Sequence, residues 1–70
     1  MKLSARNQLS GTVVASKKGA VNGIVTIEVA PGVIITSSIT NAAIEELGLV
    51  EGARAVAVIK ASSVMVGVEN

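Results

Sequence analysis

The sequence lacks cysteine, histidine, aspartate and every aromatic residue. These absences remove the commonest transition-metal ligands, the cysteine nucleophile, the Ser-His-Asp triad and the aromatic surfaces on which nucleic-acid bases stack. Five glutamates are the only acidic side chains, and we interpret them as solvated surface residues. We therefore predict a protein that is not an enzyme and that uses neither a catalytic cofactor nor a directly ligated metal cation.

The charge of the chain is low and widely spread. Six lysine and arginine residues against five glutamates give a formal net charge of +1. The cations do not gather into a stripe, which argues against nucleic acid or a membrane as the partner. No secretory signal is visible and no apolar run is long enough to span a bilayer, so we expect a cytoplasmic protein.

The size of the chain predicts one domain, residues 1–70, that is stabilised by more than its own core. A domain this small gains only a few kcal/mol from a single core and usually needs disulfides, a metal or partners. The composition excludes the first two. Because 50% of the residues are apolar, more than a small sphere can bury, we expect an obligate homo-oligomer.

Runs of β-branched residues separated by glycine and proline predict five strands and one helix. The predicted strands cover residues 9–16, 21–29, 33–37, 53–61 and 64–68. Gly11 indicates a bulge or a close backbone contact in the first strand. Thr40 is the expected helix N-cap and Gly48 the expected helix end. Between them, Ile44 and Leu47 are expected to face the core. This order is typical of an all-β, five-stranded OB-like Greek-key barrel with one short helix.

Two short segments each combine a cationic side chain with uncharged hydrogen-bond donors. They are Ser4-Ala5-Arg6-Asn7 and Lys60-Ala61-Ser62-Ser63. Neither segment contains an acidic residue, and hydroxyl, ammonium and backbone N–H groups can replace the hydration shell of a small dianion. The donors predict an oxyanion site, although serines at such positions also serve as turn residues and strand caps, and a lysine after a strand is commonly a surface residue.

The sequence contains SARNQLSGTV near its start, TNAAIEELGLVEG in its middle and GARAVAVIKASSVMV near its end. Together these stretches resemble the molbindins, the Mop family of small molybdate-binding proteins. The resemblance implies a five-stranded OB-like domain assembled as a hexamer, a trimer of dimers. It also implies that molybdate or tungstate binds between subunits, and that the protein is an intracellular store or buffer serving molybdenum homeostasis and cofactor supply.

By this resemblance, the main site lies between subunits. One subunit would contribute Ser4, Ala5 and Arg6, and its neighbour would contribute Lys60, Ala61 and Ser62. Arg6 could act through its main-chain N–H or through its guanidinium group. The resemblance further implies a second class of site, for which the candidates are Gly19, Val21 and Asn22, although Asn22 before a glycine is also typical of a turn.

Two other functions are consistent with the same domain. It could be the molybdate-sensing module of a regulator or transporter subunit, but the chain shows neither a DNA-binding helix pair nor a nucleotide-binding loop. It could also be an OB-type nucleic-acid-binding domain, which the missing aromatics and the near-zero charge disfavour. Binding to single strands at physiological salt would favour that second alternative.

Overall fold

The computed structural model describes residues 1–69. In chain order its elements are β1 (Asn7–Lys18), β2 (Asn22–Ala30), β3 (Val33–Thr40), α1 (Asn41–Leu47), β4 (Arg54–Ile59) and a 3-10 turn (Ala61–Ser63). The first three predicted strands are confirmed, with β1 and β3 longer than expected. Among the described residues, no helix is long and apolar enough to cross a membrane.

The four strands form one antiparallel sheet in the order β3-β2-β1-β4. Strands β1 to β3 follow one another as hairpins, and β4 returns through a long connection to pair with β1. This is the strand order of a Greek key, as the sequence predicts. The 12-residue β1 is central, because its first half pairs with β4 and its second half with β2.

A close backbone contact lies where β1 passes from one partner strand to the other. A Cβ atom at Gly11 would stand only 2.4 Å from the carbonyl oxygen of Glu28. The pairing of β1 with β2 also shifts register between Val13 and Ala15. The predicted close contact at Gly11 is therefore confirmed, and the register irregularity follows it along the strand.

Helix α1 begins and ends where the local signals predict. Thr40 Oγ1 accepts a hydrogen bond from the Ala43 N–H at 3.1 Å, and Gly48 ends the helix in the left-handed region at φ 63°. Ile44 is buried, as predicted. Leu47 is 69% exposed, so its predicted core position is wrong; it is the last residue of α1, directly before the Gly48 cap.

The core of one copy is small. Its buried members are Val13, Val25, Ile27, Ile44 and Ala57. A larger set of valine, leucine, isoleucine and methionine side chains remains exposed on the described residues. The chain therefore carries more apolar surface than its own fold buries.

The C-terminal part of the chain differs from the prediction. Strand β4 ends at Ile59 rather than at residue 61, and residues 64–68 are not a strand in the described chain. The 3-10 turn Ala61–Ser63 follows β4, and residues 64–68 have no ladder partner among the described residues. Because β3 and β4 remain the two edges of the sheet, the described chain forms a curled sheet of four strands rather than a closed barrel of five.

Candidate oxyanion site

The register of β1 against β4 brings the two donor segments to one end of the sheet. Asn7 is paired with Ile59, and the Asn7 Nδ2 donates to the Ile59 carbonyl oxygen at 3.2 Å. Paired residues in an antiparallel ladder lie about 5 Å apart. Arg6 directly precedes this pair and Lys60 directly follows it, so residues 4–6 and 60–62 leave the same end of the same ladder.

The second donor segment is held in a 3-10 turn. The Ser63 N–H donates to the Lys60 carbonyl oxygen at 2.8 Å, and the Val64 N–H donates to Ala61 at 3.2 Å. The acceptors in these two bonds are the backbone carbonyl oxygens of Lys60 and Ala61. Within residues 1–69, no backbone hydrogen bond engages the N–H groups of Ala61 and Ser62. Both therefore remain available to an acceptor, as does the exposed hydroxyl of Ser62.

The first donor segment is fixed by a residue that sequence reasoning missed. Gln8 Nε2 donates to the Ala5 carbonyl oxygen at 3.0 Å, which bends the segment back towards the start of β1. Ser4 and Arg6 are exposed, and Ala5 is half-buried. The only sequence signal for Gln8 is an amide three residues after Ala5, which is too common to identify its role.

The main candidate residues form a donor-rich surface without an enclosed cavity. Arg6 and Lys60 make no ion pair with any glutamate of the described chain. Ser4, Lys60 and Ser62 are all exposed in a single copy. Such a surface attracts an anion, but it leaves one side of the anion in water. A cage that removes the hydration shell therefore needs a second surface.

The candidates for the second site also lie together. Gly19, Val21 and Asn22 lie at the β1–β2 turn, where the Gly19 N–H donates to the Asn22 carbonyl oxygen at 2.9 Å. Asn41, the first residue of α1, holds this turn through two hydrogen bonds. Its Nδ2 donates to the Gly19 carbonyl oxygen at 2.9 Å, and its backbone N–H donates to the Val21 carbonyl oxygen at 2.8 Å.

Asn41 is a second residue that sequence reasoning missed. Its Oδ1 is buried and has no hydrogen-bond donor among the described residues, whereas buried acceptors in proteins are usually paired. A polar residue directly after the Thr40 cap was the only available sequence signal. At the end of β1, directly before the same turn, Lys18 Nζ and Glu45 Oε1 form an exposed ion pair at 2.6 Å. The hydrogen bond and the charge of Lys18 lower the pKa of Glu45.

Comparisons with known proteins agree on one family. Residues 3–66 match the TOBE domain family. The chain is 54% identical over 69 residues to a probable molybdenum-pterin-binding protein of Haemophilus influenzae, covering 99% of this chain and 100% of that protein.

Two solved structures have the same fold. The apo structure of MopII from Clostridium pasteurianum has a TM-score of 0.88 at 49% identity, covering 96% of this chain and 100% of MopII. The cytoplasmic molybdate-binding protein ModG, solved with molybdate bound, has a TM-score of 0.93 at 54% identity. That match covers 99% of this chain and 49% of the ModG chain.

Proposed function

We propose that this chain, which belongs to the TOBE domain family, binds molybdate or tungstate reversibly and stores or buffers the oxyanion without catalysis. It would act in the cytoplasm, where the stored oxyanion would supply molybdenum for cofactor synthesis. The observation that carries the proposal is the Asn7 to Ile59 pairing, which gathers both donor segments at one end of the sheet. The similarity to molybdate-binding proteins over nearly the whole chain supports the choice of ligand.

The donor set suits molybdate better than it suits phosphate. Molybdate is a fully deprotonated dianion at neutral pH, so hydroxyl, ammonium and N–H donors alone can satisfy its oxygens. Hydrogen phosphate keeps one proton and needs an acceptor, and neither segment contains an acidic side chain. Sulfate carries the same charge as molybdate, so only the size of the cage can discriminate against it. Because molybdenum-oxygen bonds are longer than sulfur-oxygen bonds, molybdate needs a wider cage than sulfate fills.

The complete main site is proposed to lie between copies of the chain. Ser4, Ala5 and Arg6 of one copy would face Lys60, Ala61 and Ser62 of another copy. The exposure of these residues in one copy supports this arrangement, and so does the apolar surface that a single core does not bury. The hexamer implied by the molbindin resemblance, a trimer of dimers, would provide such contacts.

The second class of site is proposed at the β1–β2 turn, around Gly19, Val21 and Asn22. Its support is the way Asn41 fixes the Gly19 and Val21 carbonyl groups. A turn with a fixed backbone loses little conformational freedom when it binds a ligand.

Equilibrium titration of the purified protein tests this function. Molybdate and tungstate should bind, while sulfate and phosphate at the same concentrations should not. Lys60→Ala should weaken molybdate binding by about 10-fold or more, because a charge-assisted hydrogen bond contributes about 1.5–3 kcal/mol. Lys17→Ala, at an exposed lysine outside the proposed sites, is the matched control and should bind as the parent does. Equal binding of the four anions would refute the proposal.

A further inference from the structure

The first donor segment is held to the sheet by one side chain. Gln8 Nε2 donates to the Ala5 carbonyl oxygen at 3.0 Å. Within residues 1–69, this is the only hydrogen bond outside the sheet ladders that engages any of residues 1–6. The conformation of the segment that carries Ser4 and Arg6 therefore depends on Gln8.

The backbone of Gln8 is a fixed point from which this bond is made. Gln8 lies in β1 and is paired with Val58 of β4, and the residues on either side of it, Asn7 and Leu9, are paired with β4 as well. The second donor segment leaves the end of the same ladder. Through its side chain, Gln8 thus fixes residues 4–6 to the pair of strands that also positions residues 60–62.

The bond orients a whole peptide group. A trans peptide group places its C=O and its N–H on opposite sides, and no cis peptide bond occurs among the described residues. The Ala5 carbonyl and the Arg6 N–H belong to the same peptide group. Because the carbonyl is held towards the Gln8 amide, the Arg6 N–H points away from it. Arg6 precedes the first residue of β1, and its N–H has no acceptor outside the ladders within residues 1–69.

We propose that Gln8 is a positioning residue of the oxyanion site, which makes Arg6 donate through its main-chain N–H and keeps the Ala5 carbonyl away from the anion. This inference rests on the proposed function and deepens it. A donor that is oriented before the anion arrives loses little conformational freedom on binding. A carbonyl oxygen turned towards the anion would instead repel it, since both are hydrogen-bond acceptors.

The second donor segment is arranged on the same principle. The carbonyl oxygens of Lys60 and Ala61 accept hydrogen bonds from the N–H groups of Ser63 and Val64. Those carbonyls are therefore engaged, and the N–H groups of the peptide groups to which they belong, at Ala61 and Ser62, point the opposite way. Gln8 does with a side chain what the 3-10 turn does with its own backbone.

The position of the Ala5 carbonyl also bears on specificity. Without the Gln8 amide, the Ala5–Arg6 peptide group can turn and present its carbonyl oxygen to the ligand. Hydrogen phosphate carries a proton that this oxygen can accept, whereas molybdate and sulfate carry none at neutral pH. By engaging the carbonyl, Gln8 disfavours phosphate relative to molybdate, while the relation between sulfate and molybdate does not involve this acceptor.

Titration of a Gln8→Met variant tests the proposal, because methionine keeps the length of the side chain and removes the amide. Molybdate should bind about 3- to 10-fold more weakly, the effect of losing one neutral hydrogen bond. In competition against molybdate, phosphate should gain relative to the parent and sulfate should not. Ser10→Ala, at an exposed position of the same strand, is the matched control and should match the parent with all three anions.

NMR adds a readout at the proposed donor. Saturating molybdate should shift the Arg6 backbone amide resonance of the parent and of Ser10→Ala, and should shift it less in Gln8→Met. Unfolding midpoints and solution masses check that each variant is folded and assembled as the parent is. Gln8→Glu, which keeps the shape of the side chain but cannot donate when ionised, should change the ratio of molybdate to phosphate binding in the same direction.

The outcomes separate this inference from the function on which it rests. A parent protein that does not bind molybdate would refute the proposed function, and the role of Gln8 with it. If the parent binds molybdate but Gln8→Met keeps its affinity and its ratio of molybdate to phosphate binding, the role of Gln8 is overturned and the function stands. Equal weakening of all three anions would show that Gln8 only supports the fold, and would also overturn the proposal.

Discussion

At the scale of single residues, Asn41 has a larger structural role than its sequence context suggests. Its side chain and backbone fasten the β1–β2 turn to the start of α1. We expect Asn41→Ala to lower the free energy of unfolding by about 0.5–1.5 kcal/mol, the usual net value of one hydrogen bond. Urea denaturation measures the change.

The control for Asn41 is Gln8→Ala, which also removes a side-chain bond to a backbone carbonyl, but in the N-terminal segment. Because Gln8 does not touch the β1–β2 turn, only Asn41→Ala should alter the amide chemical shifts of Gly19 and Val21. An Asn41→Ala variant with unchanged stability and unchanged shifts would show that the turn is held by other contacts.

The Lys18 to Glu45 ion pair predicts a pH effect with a definite sign. The pKa of Glu45 lies below its ordinary 4.5 because of the hydrogen bond and the charge of Lys18. A carboxyl group whose pKa is lower in the folded state stabilises the fold above its unfolded pKa and loses that contribution as the pH falls. NMR titration should find the Glu45 pKa below 4.5, and Lys18→Ala should raise it. Lys17→Ala is the control and should leave the Glu45 pKa unchanged. If Lys18→Ala also left the Glu45 pKa unchanged, the ion pair would be refuted in solution.

At the scale of elements, Gly11 shows how β1 serves two partner strands. A Cβ at this position would meet the Glu28 carbonyl oxygen and the Ile27 side chain. Since the closest atom belongs to the backbone, it cannot move aside without disturbing the β1–β2 pairing. We expect Gly11→Ala to destabilise the fold by about 1–3 kcal/mol, the usual cost of overpacking. Ser10→Ala, at the adjacent exposed position, should have little effect in the same thermal unfolding experiment.

The elements also show which parts of the fold a sequence can predict. Helix α1 was predictable because Thr40 and Gly48 act on their immediate neighbours, so a few residues contain the whole signal. The first three strands were predictable from β-branched runs between turns. Residues 64–68 have the same strand pattern, but a strand also needs a partner, and the alternation of valines does not specify which chain supplies it.

The candidate site was predictable to a similar degree. The donor types in residues 4–6 and 60–62 are visible in the sequence, and their gathering at one end of the sheet depends on the β1–β4 register. Gln8 and Asn41 were missed because the side chain of each makes one amide hydrogen bond to a backbone carbonyl, and such a bond leaves no pattern in the sequence.

At the scale of the whole molecule, stability and assembly are expected to be linked. One copy buries few side chains and leaves residues such as Met65 and Val66 almost fully exposed. If association supplies the missing burial, the unfolding midpoint must rise with protein concentration. Thermal unfolding across a hundredfold range of concentration measures this, with the solution mass followed in parallel. A constant midpoint together with the mass of one chain would contradict the obligate oligomer.

The central claim is that the two donor segments, contributed by different copies, hold one oxyanion. Anomalous diffraction from crystals soaked in tungstate tests it most directly, because the anomalous signal of tungsten gives the position of the bound ion. The account predicts a peak within hydrogen-bond reach of Ser4 of one copy and of Lys60 and Ser62 of another copy. A peak distant from both segments, or one contacted by a single copy alone, would contradict it.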